Sequence, residues 1–215
     1  MEPTFHRGTF DRIPPEKRAL IIETAICEFA NKGFDNANIN VIAENAGVSV
    51  GSMYKYFDSK ESLFLTAIQH GLETLEAAMR DALDSPDDLL VKTEKIVRLI
   101  QKHSRENRDL IRLYNEIASE SNSELVRKLS RQLEEISSDA YTRLIRRAQE
   151  EGEVRADLDP RLYAWFVDSL FMALQFSYSC EYYQERFKIY AGDDIFDRDE
   201  WVVRQFLGFV KAAFT

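Results

Sequence analysis

The stretch that decides the fold runs from Ala43 to Phe64, AENAGVSVGSMYKYFDSKESLF, with Gly47 between two short apolar patterns. Before it, Ile39, Ile42, Ala43 and Ala46 recur at helical spacing, and Asn38 stands where an N-cap is expected. After it, Ser49 is the N-cap of a helix in which Met53 and Phe57, four residues apart, share one face. Two short helices joined by a tight turn with Gly form the helix-turn-helix arrangement, whose second helix is shaped to enter a major groove. With Met53 and Phe57 turned inward, Val50, Gly51, Ser52, Tyr54, Lys55 and Tyr56 are left to face a duplex.

Outward from this centre the helical period continues on both sides. Upstream, Ile22, Ala25, Ile26 and Phe29 line one face of a helix from Pro15 to Lys32, which Gly33 ends. Residues 1–13 read as a flexible tail. Downstream, Ser59 caps a long helix to Leu83, with Phe64, Ile68, Gly71, Leu72, Leu75 and Met79 in its stripe. Ser85 and Pro86 restart the chain towards His103, and a shorter helix covers 107–119. Ser123 caps a helix to Glu151, with Leu125, Leu129, Leu133, Ile136, Tyr141, Leu144 and Ile145 inward and Gly152 as its stop. Asp159 and Pro160 open a segment to Tyr190, and a last helix spans 197–214. No segment alternates with period 2, so the chain is expected to be all-α, with about nine helices: a three-helix helix-turn-helix DNA-binding domain over 1–58 and a helical domain over 59–215.

Composition bounds what such a chain does. It has 215 residues, 45% of them apolar, with 8 Gly and 5 Pro, which excludes disordered and collagen-like classes. The longest apolar run, Leu162 to Val167, is far short of the ~20 residues of a membrane span. Cys27 and Cys180 have no metal or redox spacing, and a reducing cytoplasm is the expected location. The net charge of -9 argues against a nucleic-acid partner until its distribution is read. Residues 1–60 carry 7 basic and 8 acidic side chains, whereas 61–215 carry 21 and 29, so the acid lies mostly outside the helix-turn-helix.

The 22 residues from Ala43 to Phe64 resemble the DNA-binding signature of the TetR family of bacterial transcription repressors. They combine the turn, the tyrosine-containing recognition helix and the Phe-x-Ser-Lys-Glu-x-Leu start of the fourth helix. The resemblance covers about residues 15–72, and for the helical domain over 59–215 it implies ligand binding and dimerisation. It implies that Ser49, Gly51 and Ser52 approach DNA closely, that Tyr54 and Tyr56 bond phosphate or pack on sugar and thymine methyls, and that Lys55 and Lys60 neutralise phosphates. Asn38 would contact a phosphate near the start of the second helix. Val50 departs from the basic residue often found there and suits a thymine methyl instead.

Elsewhere the signals are blander. His70 and Glu73 share a helical face, but a lone His with one carboxylate is ordinarily a solvated pair, so no metal is expected. No phosphate loop, nucleophile elbow or HExxH motif occurs, so neither enzyme chemistry nor a cofactor is expected. Residues 160–190 hold ten aromatic side chains. Most are assigned to core and dimer packing, with Leu170, Leu174, Phe206, Val210 and Phe214 expected at a homodimer surface built by the last two helices. A minority would wall an apolar pocket, with Gln69, Tyr141, Phe171 and Gln175 as ligand-binding candidates. The resulting expectation is a transcription regulator, a repressor released from a pseudo-palindromic operator by a small, largely apolar effector, with no membrane partner. The alternative is a helical ligand-binding or scaffolding protein whose helix-turn-helix no longer binds DNA.

Overall fold

A computed structural model describes residues 4–119 and 124–214, apart from some side chains within 72–78, 116–119 and 124–136. Among these residues there are ten α-helices, one 3-10 turn and no strand. They are α1 (Pro15–Asn36), α2 (Ile39–Asn45), α3 (Val50–Tyr56), α4 (Lys60–Leu83), α5 (Leu89–Glu106), α6 (Arg108–Ser119), α7 (Glu124–Glu150), α8 (Pro160–Ser179), α9 (Glu181–Ala191), a turn at Ile195–Asp197, and α10 (Asp199–Phe214). No helix among the described residues is long and apolar enough to cross a membrane.

Local chemistry sets most boundaries. Gly33 has φ 72° and breaks α1, after which one more turn runs to Asn36. At the end of α2, Val48 N–H donates to Ala43 O at 2.9 Å and Gly47 N–H to Glu44 O at 3.0 Å, a Schellman pairing made possible by φ 62° at Gly47. Ser59 and Ser62 form a capping box at the start of α4, each side chain accepting the other's backbone N–H. Asp159 accepts from both Arg161 N and Leu162 N at the start of α8.

Four expectations need correction. Ser85 is not the cap of α5: Asp88 is, accepting Val91 N–H at 2.8 Å, because its carboxylate sits one residue before the first helical position. The single helix expected from Pro160 to Tyr190 breaks at Cys180, in extended conformation, so the described residues form ten α-helices rather than about nine. Ser179 Oγ donates to Ser104 O, and Gln184 Nε2 donates to Tyr178 O, a carbonyl at the broken end. Residues 5–13 are no free tail: Phe10 is 4% exposed in the N-terminal core, its ring 4.9 Å from Phe57 and 5.8 Å from Tyr56. The fourth concerns the apolar surface. Leu174, Val210 and Phe214 are buried and Leu170 and Phe206 half-buried; exposed instead are Leu162, Trp165 and Phe166 on α8, Tyr182, Ile189 and Tyr190 on α9, and Phe209 on α10. The expected cap Ser123 and the side chains of Leu72, Leu75, Leu125, Leu129, Leu133 and Ile136 lie outside the described residues.

Two cores result. One joins α1, α2, α3 and the start of α4 around Phe29, Ile42, Met53 and Leu63, and also takes Leu113 from α6. The other fills the space among α5, α7, α8 and α10 around Ile96, Ile145, Phe171 and Val203. The N-terminal core does not end at residue 58, since α4 contributes to it as far as Ile68. At the far side Tyr178 Oη donates to Asp199 at 2.9 Å and accepts from Gln101 at 3.0 Å, tying α5, α8 and α10 together.

Candidate nucleic-acid interface and ligand cavity

The helix-turn-helix surface is built on buried anchors. Met53 and Phe57 are almost wholly enclosed, and this fixes the rotation of α3 so that Gly51, Tyr54 and Lys55 point away from the core. Tyr54 is 51% exposed, a large share for an aromatic side chain. Ser49 and Ser52 lie 2.8 Å apart, and Ser49 Oγ also accepts Ser52 N–H at 3.1 Å, so this pair primarily holds the first turn of α3. Val50 and Tyr56 are half-buried and pack against the N-terminal core. Asn38 caps α2 through Asn40 N–H at 2.9 Å.

Lys60 departs from its expected place. Its ammonium donates to Asp35 O at 2.9 Å and Ala37 O at 3.2 Å and lies 4.9 Å from the Phe34 ring centroid, so it ties the carbonyls after the α1 kink to α4 rather than standing free for a phosphate. Lys17, not singled out from sequence, donates to Gly47 O at 2.9 Å and steadies the turn. The N-terminal segment supports the end of α3: Arg7 N–H donates to Tyr56 O at 2.8 Å, Arg7 Nε pairs with Asp58 at 2.6 Å, and Thr9 Oγ1 bonds Lys55 O. Phe5, Phe10 and Ile13, three large apolar residues in a supposed tail, were the available signal.

Below this head, α4, α5, α6, α7 and α8 enclose a cavity of about 510 Å³. Of the four candidates, Tyr141, Phe171 and Gln175 line it and Gln69 does not: its amide donates to Glu73 at 3.2 Å, one turn along α4. Gly71 lets α6 approach α4, since a Cβ there would stand 2.1 Å from Leu110 Cδ1. Asp168, Phe171, Met172 and Gln175 follow at helical spacing on α8 and form one wall. Ile68 and Leu113 belong both to the N-terminal core and to the cavity lining.

The polar groups of the cavity divide into a rim and an interior. Arg80, Arg143 and Arg147 stand exposed at the rim with Asp84; Arg147 pairs with Glu151 at 2.8 Å, whereas Arg80 and Arg143 have no acidic partner among the described residues. Lys92 is turned to Leu83 O at 3.0 Å, closing the end of α4. Inside, burial pushes the Asp168 carboxyl up to about 6, reinforced by Glu134. Burial likewise raises the phenol of Tyr141, whose hydroxyl points to the Met79 thioether at 4.0 Å. Tyr114 donates to Glu134 at 3.2 Å. His103 is held neutral by burial, and its Nε2 is enclosed without a hydrogen-bond partner. Sequence reading missed the arginines, Asp168 and His103 because each looks like an ordinary charged or lone polar residue on a long helix. Among the described residues no three His, Cys, Asp or Glu side chains converge as metal ligands.

The family model described as "Bacterial regulatory proteins, tetR family" matches residues 21–67. The uncharacterised HTH-type transcriptional regulator YuxN of Bacillus subtilis is 30% identical over 96 residues, covering 45% of this chain and 33% of YuxN, so the matched part spans about a third of that relative. The HTH-type transcriptional repressor KstR2 of Mycobacterium tuberculosis is 24% identical over 151 residues, covering 70% of this chain and 76% of that one. Among solved structures, the regulator FadR of Bacillus subtilis in complex with stearoyl-CoA superposes with a TM-score of 0.71 at 17% identity, covering 88% of this chain and 97% of that one.

Proposed function

We propose, from the premise that this chain belongs to the tetR family of bacterial regulatory proteins, that it is a transcriptional repressor released from a pseudo-palindromic operator when a small, largely apolar effector fills the cavity. The observation that carries this reading is the double membership of Ile68 and Leu113, which touch both the core that seats α3 and the space an effector would occupy. A molecule in that space presses on the residues that orient the DNA-reading helix.

In this reading α3 lies in the major groove. Gly51 admits close backbone approach, Tyr54 and Lys55 meet phosphate or sugar, Val50 and Ser52 meet base edges, and Ser49, Tyr56 and Asn38 lie at the margin. Lys60 acts structurally. Leu162, Trp165, Phe166 and Phe209 form an exposed apolar surface that a second copy would cover, making a homodimer with two α3 helices one DNA turn apart. Arg80 and Arg143 at the rim favour an effector with an apolar body and an anionic group, and the acyl thioester held by the structurally similar FadR is of that kind.

Coupling requires the effector to bind the DNA-free arrangement more tightly, and ~1–3 kcal/mol of preference weakens operator binding about 5- to 150-fold. The test is to select an operator from random duplexes and then titrate the complex with candidate effectors by fluorescence anisotropy. Salt-dependent, sequence-selective binding that a cavity ligand weakens supports the reading. Absence of any selected sequence, or a saturating cavity ligand without effect on operator affinity, overturns it.

A further inference from the structure

The cavity is not uniformly apolar, and the placement of its unsatisfied polar groups narrows the effector beyond the proposed function on which this inference rests. Gln175 is 8% exposed and lines the cavity, yet among the described residues its carboxamide has no hydrogen-bond partner. Neighbouring α5 brings His103 to the same cavity, also buried and with Nε2 unpartnered. A buried imidazole nitrogen without a partner is uncommon in folded proteins, and the Gln175 carboxamide lies open to the cavity that His103 also lines. Seven residues earlier on the same face of α8, Asp168 marks a second polar level, beside Tyr141. At 1.5 Å per residue the two levels are about 10 Å apart, and Phe171 and Met172 make the stretch between them apolar.

We propose that the effector is a bipolar, elongated molecule: an anionic end at Arg80 and Arg143, an apolar middle along Phe171 and Met172, and a hydroxyl or carbonyl at the inner end that Gln175 bonds, beside His103. A carboxamide both donates and accepts, so it takes either group, whereas a chain ending in a methyl leaves it buried and unpaired. The inner level is thus a specificity subsite that rejects simple alkyl chains. The charged end has two sources, a free carboxylate or a phosphate-bearing conjugate, and both satisfy arginine.

The test compares dodecanoate with 12-hydroxydodecanoate, and the coenzyme A thioesters of both, by calorimetry on the full chain. The hydroxylated member of each pair is expected to bind about tenfold more tightly, the effect of one unsatisfied buried group. Tighter binding of the thioesters than of the free acids identifies phosphate as the natural head, and the reverse identifies carboxylate. Gln175→Leu, close in volume, should abolish the preference for the hydroxyl while dodecanoate affinity holds or rises, which also shows that the cavity is intact. Equal binding of the two chains by the native protein, a preference that survives Gln175→Leu, or no binding of any probe overturns the proposal. The same probes are titrated against the operator complex. A preference for the hydroxyl without release from DNA leaves the subsite standing and refutes the repressor reading, whereas equal release by both chains does the opposite.

Discussion

The two halves of the molecule are made of the same material, amphipathic helices, and use it in opposite ways. Under α3 the core is filled: Phe29 is 0% exposed, with Phe64 at 4.9 Å and Phe34 at 6.2 Å, and it sits beside Ile21, Ile42 and Met53. Among α4 to α8 comparable residues line a space of about 510 Å³. A head that must hold one helix in a fixed orientation gains from close packing. A domain that must admit a ligand gives up dispersion contacts along the walls of its cavity. The helix α4 runs through both halves, filled at its start and hollow beyond Ile68.

The sharpest way to break this contrast is a matched pair of truncations. Phe29→Ala should cost ~3–5 kcal/mol in urea unfolding, whereas Phe171→Ala, removed from a wall that already faces open space, should cost at least about 1 kcal/mol less. Equal costs would mean that the cavity does not relax its lining.

Next in size is a pH effect confined to the hollow half. Because burial raises Asp168 to about 6, the folded protein holds a proton there that the unfolded chain releases from about pH 4 upward. This group therefore lowers stability as pH rises between those values, and the loss persists above them. Asp168→Asn should stabilise the protein at pH 8 by on the order of 1–3 kcal/mol and do little at pH 4. His103, whose pKa burial lowers, contributes with the opposite sign, losing stability as pH falls, but it is present in both proteins and cancels in the difference. A stability gap that is the same at both pH values would show that Asp168 is solvated.

Two lysines sharpen the description of the filled half. Lys55→Gln should leave stability unchanged and reduce the slope of log affinity against log salt by about one unit, the signature of one phosphate contact. Lys60→Gln should instead cost about 1–3 kcal/mol of stability through its lost bonds to Asp35 O and Ala37 O and leave the slope intact. Should the two variants shift the slope equally, the structural role given to Lys60 is wrong. The smallest expected effect is that of Gly71→Ala. Its new methyl displaces Leu110 into the cavity, and helix propensity offsets the cost to within about 1 kcal/mol, so the melting temperature should hardly move while dodecanoate binding weakens.

Legibility in the sequence follows the same division. The helix-turn-helix is readable because each of its determinants is local: Gly47 with positive φ, the Ser49 cap, and Met53 and Phe57 on one face lie within a dozen residues. The cavity is readable only as aromatic excess. That Gln175 lines it and Gln69 does not depends on the rotation of α4 and α8 about their axes, which neighbouring helices set.

By itself the sequence determined which segments are helical and where caps and glycines stop them, since hydrogen bonds three or four residues apart, and side chains at that spacing, are written in neighbouring letters. It likewise determined which face of α3 is free. Only the tertiary structure decided that the chain breaks at Cys180, where no glycine or proline asks for it. The Ser179 hydroxyl there reaches Ser104 on α5, and Gln184 on α9 returns to Tyr178 O. It alone decided that Phe10 closes the core under α3, and that five helices stand far enough apart to leave a cavity. These outcomes depend on groups far apart in the chain, whose meeting is set by the packing of whole helices and has no local period to announce it.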